Sequence, residues 1–297
     1  MPSDPKGTVR AGLAAIVEAM RAGFGPDRVD PQTLADAGHD PTFIERAAPV
    51  LEFLYGKYFR VRTLGIENVP STGAALLVAN HSGGLPYDGA MLIYGIFRDH
   101  PAHRRLRTLV ANFAFRSPWM VNVVARIGGV RASTETAMPL LESGNLVAVF
   151  PEGLKGVGKM FRERYRLSRF GRGGFVRLAR QANVPIIPVA IVGAEEIHPL
   201  LGKITSLAEP LGIPYIPITP TFPLLGPLGL LPVPTKWTIR FGAPIHCPPM
   251  TDGERDHPGT STDHTEQVTA TTAEVVRHSI DAMIAELLAQ RRSIIFG

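Results

Sequence analysis

The sequence is poor in cysteine and in charge. Cys247 is the single cysteine in 297 residues, which excludes an internal disulfide and a cysteine-cage zinc site. Charged residues make up 19% against 45% hydrophobic, a balance that excludes both a disordered chain and a strongly charged one. There is no run of about 18 apolar residues free of helix breakers, the minimum for a spanning helix. Residues 1–7 are polar, and no basic stub leads into an apolar stretch. The expectation is a protein made and kept in the cytoplasm. No internal repeat is visible.

Glycine and proline are plentiful, 30 and 27 residues, so many turns punctuate the fold. The length fits one large or two small domains. Residues 1–60 read as a helical N-terminal segment. A first helix spans 9–23, with Leu13, Ile16, Val17 and Met20 at helical spacing, and Gly-Phe-Gly-Pro ends it. A second, over 41–59, is rich in Phe, Tyr, Leu and Ile. It reads first as a helix packed on the main domain. The competing reading is an interfacial membrane helix with Arg46, Lys57 and Arg60 near the headgroups.

From Val61 the pattern changes. Short apolar runs at 61–64, 74–79, 108–111, 145–150, 186–192 and 238–241 read as strands. Helices are expected over 88–97, 119–126, 134–141 and 174–181, with Ser133 as N-cap of the third and Gly144 just past its end. This alternation predicts an α/β fold with a largely parallel central sheet over residues 61–250. A polar linker, 251–263, leads into an amphipathic C-terminal helix over 266–292, whose stripe includes Val268, Val275, Ile280, Met283, Ile284 and Leu287.

Two motifs follow apolar strands directly. One is Asn80-His81-Ser82-Gly83-Gly84-Leu85-Pro86-Tyr87-Asp88; the other is Pro151-Glu152-Gly153. In an open parallel sheet, ligands sit beyond the carboxyl ends of the strands, so His81 and Glu152 should emerge on one edge. A hydroxyl becomes a good nucleophile when a base takes its proton, and His81 is suited to that near neutrality. Asp88 on the other ring nitrogen would fix its tautomer. Gly83 and Gly84 allow tight backbone and N–H donors to an oxyanion. The plainer alternative is that His81 caps a strand end and Asp88 a helix.

Other chemistries fit less well. No Gly-x-Ser-x-Gly pentapeptide occurs, so the nucleophile turn of one large hydrolase class is missing. Ser82 is adjacent to His81 on the chain, which argues against a Ser–His pair. His100 and His103 have metal-ligand spacing but no further ligand cluster, and read as exposed loop histidines. Residues 155–180 hold nine Lys or Arg against Glu163 alone, and Arg131 follows a glycine-rich strand or turn. These groups suit phosphate or an anionic membrane surface, the alternative being an ordinary solvated face. Weak aromatic interleaving speaks against nucleic acid.

The blocks NHSGGLPYD, GGVRAS, FPEG and VPIIPVAIVGAEE, in that order over roughly residues 60–250, resemble the PlsC-like glycerolipid and lysophospholipid acyltransferase superfamily. The family's most familiar form has four residues between His and Asp. The six here resemble the branch that includes neutral-lipid acyltransferases. The resemblance implies a mixed sheet flanked by helices and transfer of a fatty acyl group from a thioester to a lipid hydroxyl, without metal, cofactor or covalent intermediate. The donor would be acyl-CoA or acyl-ACP, so acyl carrier protein is a candidate partner. His81 would be the base and Asp88 its partner. Glu152 and Gly153 would help place the acceptor, and Arg131 would meet an acceptor phosphate. A membrane-peripheral enzyme on the inner face follows. A lipid esterase or thioesterase, or a catalytically silent lipid-binding protein, stays open beside it.

The segment 211–234 runs 24 residues without a charge and holds seven prolines and three glycines. Prolines exclude a spanning helix. The expectation is a lipid-contacting loop, against the alternative of a rigid loop packed on its own domain.

Overall fold

In a computed structural model, the described residues are 41–82, 87–111, 124–153, 156, 158–168, 170, 173–206, 208, 215–250, 254 and 263–297. The expected helix over 9–23, Gly83, Gly84 and most of the 119–126 helix and the polar linker lie outside them.

The strands β1 (Arg62–Leu64), β2 (Ala75–Ala79), β3 (Leu106–Val110), β4 (Gly129–Arg131), β5 (Leu146–Val149), β6 (Ile186–Val192) and β9 (Thr238–Phe241) form one sheet in the order β1-β9-β6-β2-β5-β3-β4. From β6 to β4 all neighbours are parallel. β9 runs antiparallel to β6, and β1 parallel to β9. The sheet is therefore mixed and largely parallel, as expected. β7 (Gly202–Ile204) and β8 (Ile216–Ile218) pair as a small separate hairpin that the sequence pattern did not announce.

Both sheet faces are covered, which is why the central strands read as continuous apolar runs. All five residues of β2 are fully buried. Ala75, Leu77 and Ala79 face one core, with Met91, Leu92 and Ile96 of α2 (Tyr87–Asp99). Leu76 and Val78 face the other, with α3 (Thr134–Glu142), α4 (Gly174–Ala182) and α5 (Asp263–Gln290). Ser133 caps α3 by accepting from the Thr136 N–H at 3.2 Å, and Gly144 takes φ 78° just beyond its end. α5 lays Val276, Ile280, Met283 and Ile284 on the second core.

From Ala47 on, the helix expected over 41–59 packs inward. It runs as α1 (Pro41–Glu52) and then a π-helical stretch, Phe53–Tyr58. Tyr55 and Phe59 are buried; the Tyr55 hydroxyl donates to Asp99 and bonds Thr63, and Phe59 stacks on Trp237 at 4.6 Å. These aromatics are core, so the interfacial reading does not hold for them. Among the described residues, no helix is long and apolar enough to cross a membrane.

Candidate active site

The site is built at the carboxyl edge of the parallel strands. β2 hands the chain to Asn80, whose side chain accepts from Ile191 N at 2.7 Å and donates to Ile191 O at 2.9 Å. One amide thus imitates a ladder partner and pins the end of β2 to β6. The next residue, His81, is held at a fixed height above the sheet.

His81 Nδ1 lies 2.7 Å from Asp88 Oδ2, with the histidine side chain 20% exposed and the aspartate 1%. Asp88, in the first turn of α2, also accepts from Ser82 N (2.9 Å), Ser82 Oγ (3.2 Å) and Gly89 N (2.8 Å). Such a carboxylate is fixed in place and favours the tautomer with Nδ1–H donating to it. That leaves the lone pair on Nε2 to take a proton. Ser82 is buried and donates to Asp88, an orienting role and not that of a nucleophile.

The turn after β5 contributes Glu152 to the same place. Its Oε1 accepts from His81 N at 3.0 Å and its Oε2 from Ser168 N at 2.7 Å. Lys159 Nζ sits 3.2 Å from Glu152 and 3.0 Å from Glu195. Glu195 also accepts from Tyr165 N. Burial pushes the Glu195 carboxyl up, and Lys159 opposes this. The side chains of Glu152, Lys159 and Glu195 are all under a tenth exposed. A buried charge needs such partners, because leaving water is costly. The next residue, Glu196, pairs with Arg291 at 2.5 Å and with Arg164 at 3.8 Å.

Two glycines make the packing possible. Gly153 has φ 54°, the left-handed region that glycine tolerates. At Gly156 a Cβ would come within 2.8 Å of Glu152 Cβ and 2.9 Å of His81 Cβ. Gly156 therefore packs directly against Glu152 and the histidine.

Of the site residues expected from the sequence, His81, Asp88 and Glu152 are brought together, with Gly153 beside them. Arg131 ends β4 on the same edge, three strand spacings from β2, roughly 14 Å at the usual separation. Three residues were missed: Asn80, Lys159 and Glu195. Asn80 stands inside the quoted motif, directly after the strand, and that position was its signal. Lys159 and Glu195 are 36 residues apart, and nothing local couples them.

Two expectations are corrected. His100 is not an exposed loop histidine: it is 2% exposed and bonded to Val69 O and Ala102 N. Lys155, Arg169 and Arg172 lie outside the described residues; among those described, the basic groups of 155–180 do not form one solvated or phosphate-facing patch. Lys159 is buried between carboxylates. Arg180, 3% exposed, binds Glu254 and the carbonyls of Pro248 and Pro249. Arg164 engages Glu196 and lies over the Phe161 ring. Arg162, Arg166 and Arg177 do face solvent.

Comparison with known proteins agrees with this architecture. Residues 60–192 match the family described as Acyltransferase. An uncharacterized protein of Mycobacterium tuberculosis is 46% identical over 287 residues, 96% of this chain and 78% of that protein. A protein of Gallus gallus described as a DGAT1/2-independent enzyme synthesizing storage lipids is 30% identical over 195 residues, 64% of this chain. The chain spans about half the length of that relative, 53%. The 1-acyl-sn-glycerophosphate acyltransferase PlsC from Thermotoga maritima shares the fold, with TM-score 0.50, 17% identity, and coverage of 96% of this chain and 99% of that one. This chain belongs to one family with the mycobacterial protein; within it, residues 60–192 match an acyltransferase domain, and the fold is the one that PlsC has.

Proposed function

We propose that the protein moves a fatty acyl group from a thioester, on coenzyme A or acyl carrier protein, to a hydroxyl of a glycerolipid or related lipid alcohol. The observation that carries this is the His81–Asp88 pair at 2.7 Å, at the carboxyl edge of the acyltransferase domain. Nε2 of His81 takes the acceptor's hydroxyl proton as its oxygen attacks the thioester carbonyl. The C–S bond then breaks, and the leaving sulfur recovers the proton from the imidazolium. Asp88 holds the ring and stabilises that imidazolium. No metal, cofactor or covalent intermediate is needed.

In this reading Glu152 acts through position. Its oxygens are occupied by His81 N, Ser168 N and Lys159, so it and Gly153 shape the acceptor site by fixing the His81 backbone. Gly83 and Gly84, between His81 and Asp88 in the chain, would supply the oxyanion donors. Arg131, at its distance along the edge, suits a phosphate on an extended acceptor. Similarity to an enzyme that synthesises storage lipids supports a glycerolipid acceptor. Both substrates are amphiphiles, so the enzyme would work as a peripheral protein on the inner face of the membrane.

The test is incubation with radiolabelled acyl-CoA and acyl-ACP and a panel of lipid alcohols. New ester supports transfer. Free fatty acid alone would assign a hydrolase, and neither product would assign a lipid-binding protein.

A further inference from the structure

Beyond β8, the chain turns back on itself before entering β9. Thr219 N donates to Phe222 O, Thr221 Oγ1 to Gly229 O and Leu225 N to Thr221 O. A 3-10 turn, Gly226–Leu230, follows. This self-bonded loop presents leucines to water: Leu224 is 83% exposed and Leu228 69%, and Leu225 and Leu231 are more than half exposed. Leu201, beside β8, extends the ridge. A cluster of this kind marks a binding surface.

The ridge stands at the catalytic edge. Val233 N donates to Ile197 O, which tethers the loop just past the carboxyl end of β6. His198 Nε2 bonds Leu230 O at 2.9 Å, and the His198 ring lies 6.2 Å from that of Tyr87, the residue before Asp88. The stem is lined by cations. Tyr58, next to exposed Lys57, donates to Pro232 O, and Arg60 donates to Pro234 O. Arg60 and Arg62 are close enough to Lys236 to depress its pKa, after burial. The segments 53–66 and 215–238 contain no Asp or Glu.

We propose that this leucine ridge is the element that docks the catalytic edge onto an anionic phospholipid bilayer, the leucines entering the interface and Lys57, Arg62 and Lys236 meeting headgroups, while Arg60, bonded to the carbonyls of Tyr58, Pro234 and Ile295, braces the stem. Charge selects this occupant. A second copy related by a two-fold axis would bring the same cations together with no acidic residue in either segment to oppose them. An anionic surface opposes all of them and also takes up the leucines. The proposal deepens the acyltransferase reading and rests on it for the need to reach lipid.

The experiment uses the full chain, vesicles of phosphatidylcholine with and without phosphatidylglycerol, and no acyl donor, so it is independent of any failure to detect turnover. Wild type is expected to sediment with the anionic vesicles and to be released by salt. Leu224→Ser with Leu228→Ser is expected to weaken sedimentation at least about tenfold, with an unchanged melting temperature because both side chains already stand in water. Val275→Ser, an exposed apolar position on α5, is the control and should sediment like wild type. Equal sedimentation of the double variant and wild type overturns the proposal. So does equal weakening by the control. A wild-type dimer that the double variant dissolves, with no vesicle binding, would assign the ridge to self-association instead.

Discussion

The most basic and the most apolar stretches of the chain trade the places their composition suggests. Within 155–180, Lys159 and Arg180 lie inside the protein, each ringed by carboxylate or carbonyl oxygens. Within 211–234, Leu224, Leu225, Leu228 and Leu231 stand in water. The difference shows that burial follows the supply of partners as much as hydrophobicity. At the carboxyl edge, Glu152 and Glu195 are drawn in to hold backbone N–H groups around His81 and Tyr165, and a cation must follow them. In the 219–235 loop, beyond β8, prolines remove backbone donors that a longer strand or α-helix would need. It bonds largely to itself and leaves its leucines outside.

Breaking the polar region should have the largest effect. His81→Ala is expected to lower turnover by about 10²–10⁴-fold, the usual worth of a general base, with an unchanged circular dichroism spectrum. Asp88→Asn should follow it, since the amide cannot favour the same tautomer. Acyl transfer near the wild-type rate in either variant would detach this pair from the chemistry.

Removing the cation from between the two carboxylates comes next. Lys159→Met should cost about 3–5 kcal/mol of stability, because it strands two buried carboxylates, as read by urea unfolding. Arg162→Glu, in the same basic segment but with a side chain 82% exposed, should leave the unfolding curve in place. Equal curves for the two variants would abolish the division of this segment into interior and surface.

The smallest effect should sit where the two regions meet. Burial holds His198 below the ordinary histidine pKa, opposed by its bond to Leu230 O. The unfolded chain therefore binds the proton first. The stability carried by neutral His198 is full above about pH 6.5 and is lost as pH falls through the depressed folded value. Hydrogen exchange at the Val233 amide should accelerate on that acid limb and lose this dependence in His198→Asn. A Val233 exchange profile that is the same in wild type and His198→Asn would mean that His198 does not hold the loop.

Much of the fold could be read in the sequence because parallel central strands have no exposed face. The stretches 186–192 and 238–241 carry the period and length of strands, and the structure has β6 and β9 there. The cap at Ser133 was legible because it is a local bond. The β7–β8 hairpin was not: three-residue strands carry too little alternation, and Pro217 sits inside one of them. The His81–Asp88 pairing lies within eight residues of chain and follows a strand, so its partners could be named in advance. Glu152 could be named but its bonding could not. Its neighbours Ser168, Lys159 and His81 reach it from separate segments.

By itself, then, the sequence determined the α/β class, the sheet edge on which His81 and Glu152 emerge, and the resemblance to acyltransferases. These rest on local periodicity and on short motifs that follow strands. Only the tertiary structure decided that Lys159 and Arg180 are internal, that Glu152 anchors the His81 backbone, and that leucines from 224 to 231 crown the same edge. Each of these depends on which distant groups share a low-dielectric space or are left in water, and such proximity is settled by the packing of whole elements.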